Sequence, residues 1–195
     1  MFAHAAVAAV TESRIGGWLQ TATGGQFWPM DPRPEEVQLD DIAHALSHLC
    51  RFAGHCREFY SVAQHSVLVS QYVPRAHAFQ ALLHDAAEAY LVDLPRPLKL
   101  ELPDYRNLEK RVQAAIYQRF HLPAEEPPCI KAADDRVLGQ EHRDLMAVTP
   151  FDWSRLDRLE PLPVRVQPQS PRRAYGGFLL RFASLAPKEV LAEWL

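Results

Sequence analysis

The residues of this 195-residue chain best suited to chemistry lie in one stretch, Ala81-Leu82-Leu83-His84-Asp85-Ala86-Ala87-Glu88. A His and an Asp stand side by side after an apolar run. Read as a helix, Ala81, His84, Asp85 and Glu88 fall at i, i+3, i+4 and i+7, which is one stripe. Leu82, Leu83, Ala86, Ala87, Tyr90 and Leu91 fill the rest. Three polar groups able to bind a metal thus stand on a helix otherwise composed for burial. A buried carboxylate and imidazole are costly unless something compensates them, and a divalent cation compensates both. A His-Asp pair can also be a simple hydrogen-bonded pair or a partly exposed helix edge, so the dipeptide alone leaves both readings open.

Two further segments bear on that choice. In Tyr60-Ser61-Val62-Ala63-Gln64-His65-Ser66, Ser61 is a helix N-cap, and Val62, His65, Val69 and Tyr72 share a stripe. His65 therefore points toward the core, either as a satisfied core histidine or as a ligand. Pro127-Pro128 open a helix running to about Ala147, with Ile130, Ala133, Val137, Leu138 and Leu145 as its core positions. Asp134 lies one step off that face, between Lys131 and Arg136. An Asp there is usually exposed, and it matters because a half-site with His65, His84 and Asp85 needs one more carboxylate.

The elements that must position these groups read mostly as helices. Residues 1–13 read as an extension or a short helix. Trp18–Thr23 and Gln26–Trp28 flank Gly24-Gly25 as a small hairpin. Asp31-Pro32-Arg33-Pro34-Glu35 is a rigid loop. Asp40 or Asp41 caps a helix to about Cys50, with Ile42, Ala45, Leu46 and Leu49 on its apolar face. His44 and His48 stand four apart on it without an acidic companion, which fits a solvated or capping role. The helix carrying His84 spans about Arg75–Val92 and stops at Asp93-Leu94-Pro95-Arg96-Pro97-Leu98-Lys99, where two prolines forbid continuation and stiffen a loop. That loop brings Asp93, Arg96 and Lys99 to the end of the His84 stripe; its cations suit phosphate, or else are solvated charges. A helix follows from Pro103 to about Phe120. Residues 150–169 are Pro-rich, with Pro163–Val166 a short strand. Ser170-Pro171 cap a helix to about Leu185, and Ala186-Pro187 open a last amphipathic one. The fold class is all-α with an N-terminal β-hairpin: a single domain over 1–195, its core at about 14–147 and a C-terminal helical extension at 150–195 that closes the bundle or meets a partner subunit.

Composition bounds the function. The chain is 48% hydrophobic and 23% charged, enough for one full core and short for two. Its net charge of −3, without long runs of one sign, argues against a nucleic-acid partner. Cys50, Cys56 and Cys129 show no CxxC spacing and read as reduced thiols. The first ten residues lack the make-up of a signal peptide, and no apolar run approaches membrane-spanning length. A cytoplasmic protein with no membrane partner is expected.

His65, His84-Asp85 and Asp134 lie on three successive helices in the order H…HD…D. Two imidazoles and two carboxylates suit a borderline transition-metal ion with positions left for water and substrate. This order resembles the HD-domain metal-dependent phosphohydrolases. Ser61–Ser66 is similar to their first-His helix, and Lys131–Asp134 to their last-Asp helix. His84-Asp85-Ala86-Ala87-Glu88 followed by Asp93–Lys99 resembles the HDxxE…DxPxPxK segment of the bacterial 5′-deoxynucleotidases. The resemblance covers about residues 14–147. From Thr21 to Phe182 it extends to small bacterial and phage HD hydrolases, dATP triphosphohydrolases among them.

The resemblance implies an HD-domain helical bundle in which His65, His84, Asp85 and Asp134 bind one divalent ion: Zn, Co, Mn or Ni. The extra histidines of dinuclear HD proteins are not apparent. Glu88 would act on the attacking water or the leaving oxygen, and Asp93 would hold the sugar or the metal-bound water. Arg51, one residue out of register with the family pattern, would hold phosphate, with Lys99 a second cation. Trp18 or Trp28 could stack on a base or plug the hairpin. The expected substrate is a small-molecule nucleotide. It is a deoxynucleoside monophosphate losing phosphate, or alternatively a dNTP losing triphosphate. A metal- or nucleotide-binding sensor without turnover is the third reading. A homo-oligomer is compatible with the apolar tail.

Overall fold

The computed structural model describes residues 13–153, 155 and 158–194. All but the last residue of the expected N-terminal extension therefore lies outside the described residues. The hairpin forms as its Gly-Gly turn dictates. Strands β1 (Leu19–Gln20) and β2 (Gln26–Phe27) pair antiparallel, Leu19 opposite Phe27 and Gln20 opposite Gln26. Gly24 takes the left-handed φ of +87° that the turn requires.

Helix α1 (Leu39–His48) starts without a side-chain cap. Asp40 and Asp41 lie in its first turn rather than at the cap. Asp41 is buried because its carboxylate accepts from the Thr23 amide (2.7 Å) and the Thr23 hydroxyl (3.1 Å), tying the hairpin to the helix. His48 Nδ1 reaches the His44 carbonyl at 2.8 Å, a local capping role. Helix α2 (Val62–Gln71) starts as expected, with Ser61 accepting from the Gln64 amide at 3.2 Å.

The helix expected over about 75–92 is broken. A 3-10 turn at Arg75–His77 leads into α3 (Ala78–Leu82), and α4 covers only Glu88–Leu91. The tightly wound turn between them carries His84 and Asp85. Gln113 inserts there: its Nε2 donates to the Leu83 carbonyl (2.7 Å) and its Oε1 accepts from the Ala87 amide (3.0 Å). Those two groups would bond each other in a regular helix.

Past Val92 the loop is also more ordered than its prolines suggested. Arg96–Leu100 forms α5, with Pro97 in the first turn, where a missing N–H costs nothing. Then come α6 (Pro103–Arg119), α7 (Pro128–Leu145), α8 (Pro171–Leu185) and α9 (Lys188–Ala192).

Helix α2 is the central post. One buried cluster joins Phe27, Ile42, Leu46, Val62, Leu82, Leu83, Ile116, Phe120, Phe178 and Phe182. A second, on the other side of α2, joins Val69, Ala81, Ile130, Ala133 and Val137 to Leu162. The C-terminal helix α8 lies across α1, α2 and α3. Its Phe178 and Phe182 are fully buried, and Phe79, Phe120 and Phe182 meet edge to face. The tail thus closes the bundle.

No strand forms at Pro163–Val166. Backbone groups of this segment bond side chains of the helices instead: Leu162 N to Gln140 Oε1 (3.1 Å), Val166 N to Asp144 Oδ2 (2.7 Å), Gln169 N to Gln64 Oε1 (3.0 Å). Among the described residues, no helix is long and apolar enough to cross a membrane.

Candidate metal centre

Three elements bring the chemistry together. Helix α2 carries His65 inward, fully buried. The Gln113-held turn presents His84 and Asp85, and α7 presents Asp134. One ligand atom each of His65, His84 and Asp134 lies within 4.8 Å of the others. Asp85 joins them, its Oδ2 3.5 Å from His65 Nε2 and 3.2 Å from His84 Nε2. His65 Nε2 is also 3.3 Å from Asp134 Oδ1. Among the described residues no second group of three such side chains converges in this way.

The hydrogen bonding of the rings decides what they can do. His65 Nδ1 donates to Glu141 Oε1 at 2.7 Å, and His84 Nδ1 donates to the Ala81 carbonyl at 2.8 Å. With Nδ1 carrying the proton, the neutral ring presents its Nε2 lone pair. Both Nε2 atoms are buried without a hydrogen-bond partner, and both face the two carboxylates. Two oriented nitrogen lone pairs and two carboxylates could hold a metal ion, with both imidazoles held from behind.

Glu141 is the residue of this cluster that sequence reasoning missed. It is fully buried on α7 and also accepts from Arg51, 3.1 Å from both Nε and a terminal nitrogen. Its position was legible in principle: Glu141 is seven residues after Asp134 and four after Val137, on the face that points inward. The Gln113 insertion had no comparable signal.

The electrostatics agree with an anionic cradle. Burial and Arg51 oppose protonation of His65, but Glu141 and Asp134 outweigh them and raise it to about 9. His84 is raised as well, burial being overcome by Asp85. Burial resists the Asp85 anion, yet the His84 and His65 imidazoliums hold its carboxyl well below the usual carboxylate range. Asp134 is lowered in the same way, burial being overridden by His65. Without a cation, the site draws protons onto its imidazoles.

Glu88 stands at the other side of the cluster, 4% exposed, with Oε2 buried and unpartnered. Burial, then Asp85 and Asp93, push its carboxyl well above the ordinary carboxylate range. Asp93 is raised too, chiefly by burial and against the pull of Arg51. Val92, just before it, has φ 69° and ψ 157°, a conformation rare outside glycine. The Tyr105 hydroxyl holds this corner by donating to the carbonyls of Val92 (2.7 Å) and Leu91 (3.2 Å).

The two expected phosphate cations are near the cluster but engaged. Arg51 pairs with Glu141 and reaches Asp85 at 3.8 Å. Lys99 is held by Glu109 at 2.6 Å and approaches Glu88 at 3.5 Å. Trp18 is half-exposed on the hairpin with Trp28 as its ring neighbour, 6.4 Å between centroids. The structure places it with the hairpin and not among the converging side chains.

No protein-family model matches the chain. It is 42% identical over 170 residues to the uncharacterized protein YfdR of Escherichia coli strain K12, a stretch covering 87% of this chain and 96% of that one. It is also 37% identical over 166 residues to the uncharacterized protein RCAP_rcc00048 of Rhodobacter capsulatus, covering 77% of this chain and 83% of the relative. With the alignment running through nearly the whole of the Escherichia coli protein, the chain belongs to the YfdR family.

Proposed function

We propose that this protein is a metal-dependent phosphohydrolase of the HD-domain kind that removes the 5′-phosphate from deoxynucleoside monophosphates. The observation that carries the reading is the pair of buried, partnerless Nε2 atoms facing Asp85 and Asp134. His65, His84, Asp85 and Asp134 would hold one Zn, Co, Mn or Ni ion; two imidazoles favour these over Mg. When bound, the ion offsets negative charge at the phosphoryl group and makes water a better nucleophile.

The chain's own residues do the rest. Glu88, whose buried carboxyl is shifted toward its protonated form, is the group that passes a proton to the leaving 5′-oxygen. Asp93, on the strained corner after α4, orients the sugar. Arg51 and Lys99 lend positive charge to the phosphate while staying fixed by Glu141 and Glu109. Because each cation is already matched by carboxylates, little net positive charge is left for a triphosphate, and the smaller anion fits better. A buried, partly unpartnered carboxyl at Glu88 favours turnover over a sensor, which has no use for a proton shuttle.

The test is product analysis after incubation with dNMPs and dNTPs in the presence of Mn, Co or Zn. Nucleoside and inorganic phosphate from a dNMP is the expected result. Triphosphate and nucleoside from a dNTP would replace it with a triphosphohydrolase. No turnover in metal-loaded protein would overturn the nucleotidase reading in favour of a sensor or of a substrate outside the nucleotides.

A further inference from the structure

The loop that delivers Arg51 is bracketed by two thiols. Cys50 and Cys56 lie with their Sγ atoms 3.5 Å apart, in contact but not bonded. Both are half-buried. Their surroundings hold them on fixed backbone. Either side of Cys50, the Arg51 amide donates to the Tyr60 carbonyl (2.9 Å) and the Val62 amide to the Leu49 carbonyl (3.1 Å). Beyond Cys56, the Arg57 amide donates to the Leu145 carbonyl (2.9 Å) and the Arg57 guanidinium to the Asp144 carbonyl (2.7 Å). Between the two cysteines the chain reverses through Phe52, Ala53 and Gly54, all with left-handed φ (55°, 50° and 83°). The two sulfurs are therefore brought together by the fold and not by chance approach of a floppy loop.

We propose that hydrogen peroxide converts Cys50 and Cys56 into a disulfide, closing a covalent ring that contains Arg51. The balance is simple. One thiol is oxidised to a sulfenic acid as peroxide is reduced to water; the neighbouring sulfur then attacks it, the S–S bond forms and a second water leaves. Two thiols lose two protons and two electrons in all. A disulfide is about 2.05 Å long, so the sulfurs must close by roughly 1.5 Å to bond. The step also has a structural consequence at Arg51. The Cys56 thiol now donates to the Arg51 carbonyl at 3.7 Å, and oxidation removes that donor. The ring thus acts on the backbone of the residue whose side chain joins Glu141 to Asp85. Burial and the neighbouring Cys50 raise the Cys56 thiol, so the bond forms faster as pH rises. The proposal does not depend on the hydrolase reading, because the bond itself is what is measured.

The whole protein is treated with hydrogen peroxide, denatured, alkylated and weighed. The expected product is about two daltons lighter before alkylation, with two of its three thiols blocked to the alkylating agent. Trypsin without reductant then releases residues 15–51 linked to residues 52–57, because cleavage falls after Arg51 and Arg57 and is barred at Arg33-Pro34. Reductant separates the two peptides. Cys50→Ser and Cys56→Ser each abolish the linked pair, and Cys129→Ser leaves it intact. A linkage through Cys129, a linkage between two chains, or sulfinic acids without any linked pair would each overturn the proposal.

Discussion

Each imidazole of the cluster has its tautomer set by a different partner, and this makes the ligands separable by mutation. His84 leans on a main-chain carbonyl, which no substitution of a side chain removes. His65 leans on Glu141. Glu141→Gln keeps the shape and loses the charge that orients and strengthens His65, so metal affinity falls about 10–100-fold, read from cobalt absorption or calorimetry. Asp85→Ala removes a proposed ligand and is expected to abolish both metal binding and turnover. Glu88→Gln should leave metal affinity close to wild type and lower kcat by about 10²–10⁴. Near-wild-type turnover by that variant would remove Glu88 from proton transfer. Helical spacing made His65 legible and adjacency made His84 and Asp85 so, whereas Asp134, one step off its apolar face, was marked only by the need for another carboxylate, and Glu88 by a helical period that the break between α3 and α4 interrupts. Glu141 is also in phase, but a buried acid reads as an ordinary charged residue until its partners His65 and Arg51, both distant in the chain, are known.

The same separation appears in the elements. Five of the nine described helices follow from Ser and Pro starts and apolar stripes, α2, α6, α7, α8 and α9, and α1 follows from its apolar stripe alone. The break between α3 and α4 does not, because its cause is Gln113, a side chain thirty residues from Leu83. Gln113→Ala leaves the Leu83 carbonyl and the Ala87 amide without that bridge. A loss of about 1–3 kcal/mol in unfolding free energy is expected, measured by urea denaturation. An unchanged stability would mean that α3 and α4 fuse into one helix, and the far-ultraviolet circular dichroism should then rise. Val92→Gly tests the corner at the other end of α4. Relief of the positive φ should stabilise the protein by about 1 kcal/mol. If the corner serves to aim Asp93, turnover falls in the same variant.

For the whole molecule, the charge cradle links stability, pH and metal. His65 has a folded pKa of about 9 against about 6.5 unfolded. The native state therefore holds the extra proton between those values. Its contribution is complete below about pH 6.5 and is lost as pH rises to about 9, on the order of 3 kcal/mol. The metal-free protein should show a melting temperature that declines over this window. Metal displaces that proton, so affinity should rise toward pH 9, with proton release visible as a dependence of the binding heat on buffer. A metal-free melting temperature that rises over the same window would contradict the assignment of His65. The C-terminal helices matter at this scale too. Phe178 and Phe182 complete the core beneath α2 and α3, so truncating 171–194 should unfold the site rather than only expose it.

What the sequence determined by itself was local: the serine caps of α2 and α8, the proline starts of α6 and α7, and which side chains share a stripe. Those choices depend on neighbours within a few residues. The all-α class, the hairpin and the inward direction of His65 follow from them. The tertiary structure decided everything that needs a partner from far along the chain. It broke the central helix with Gln113, turned Asp41 from a cap into a tie to the hairpin, and bonded residues 162–169 to helix side chains instead of to a strand. It also put Glu141 behind His65 and brought Cys50 to Cys56. Each of these is a hydrogen bond or contact whose two halves are set by different segments, and neither half announces the other in sequence.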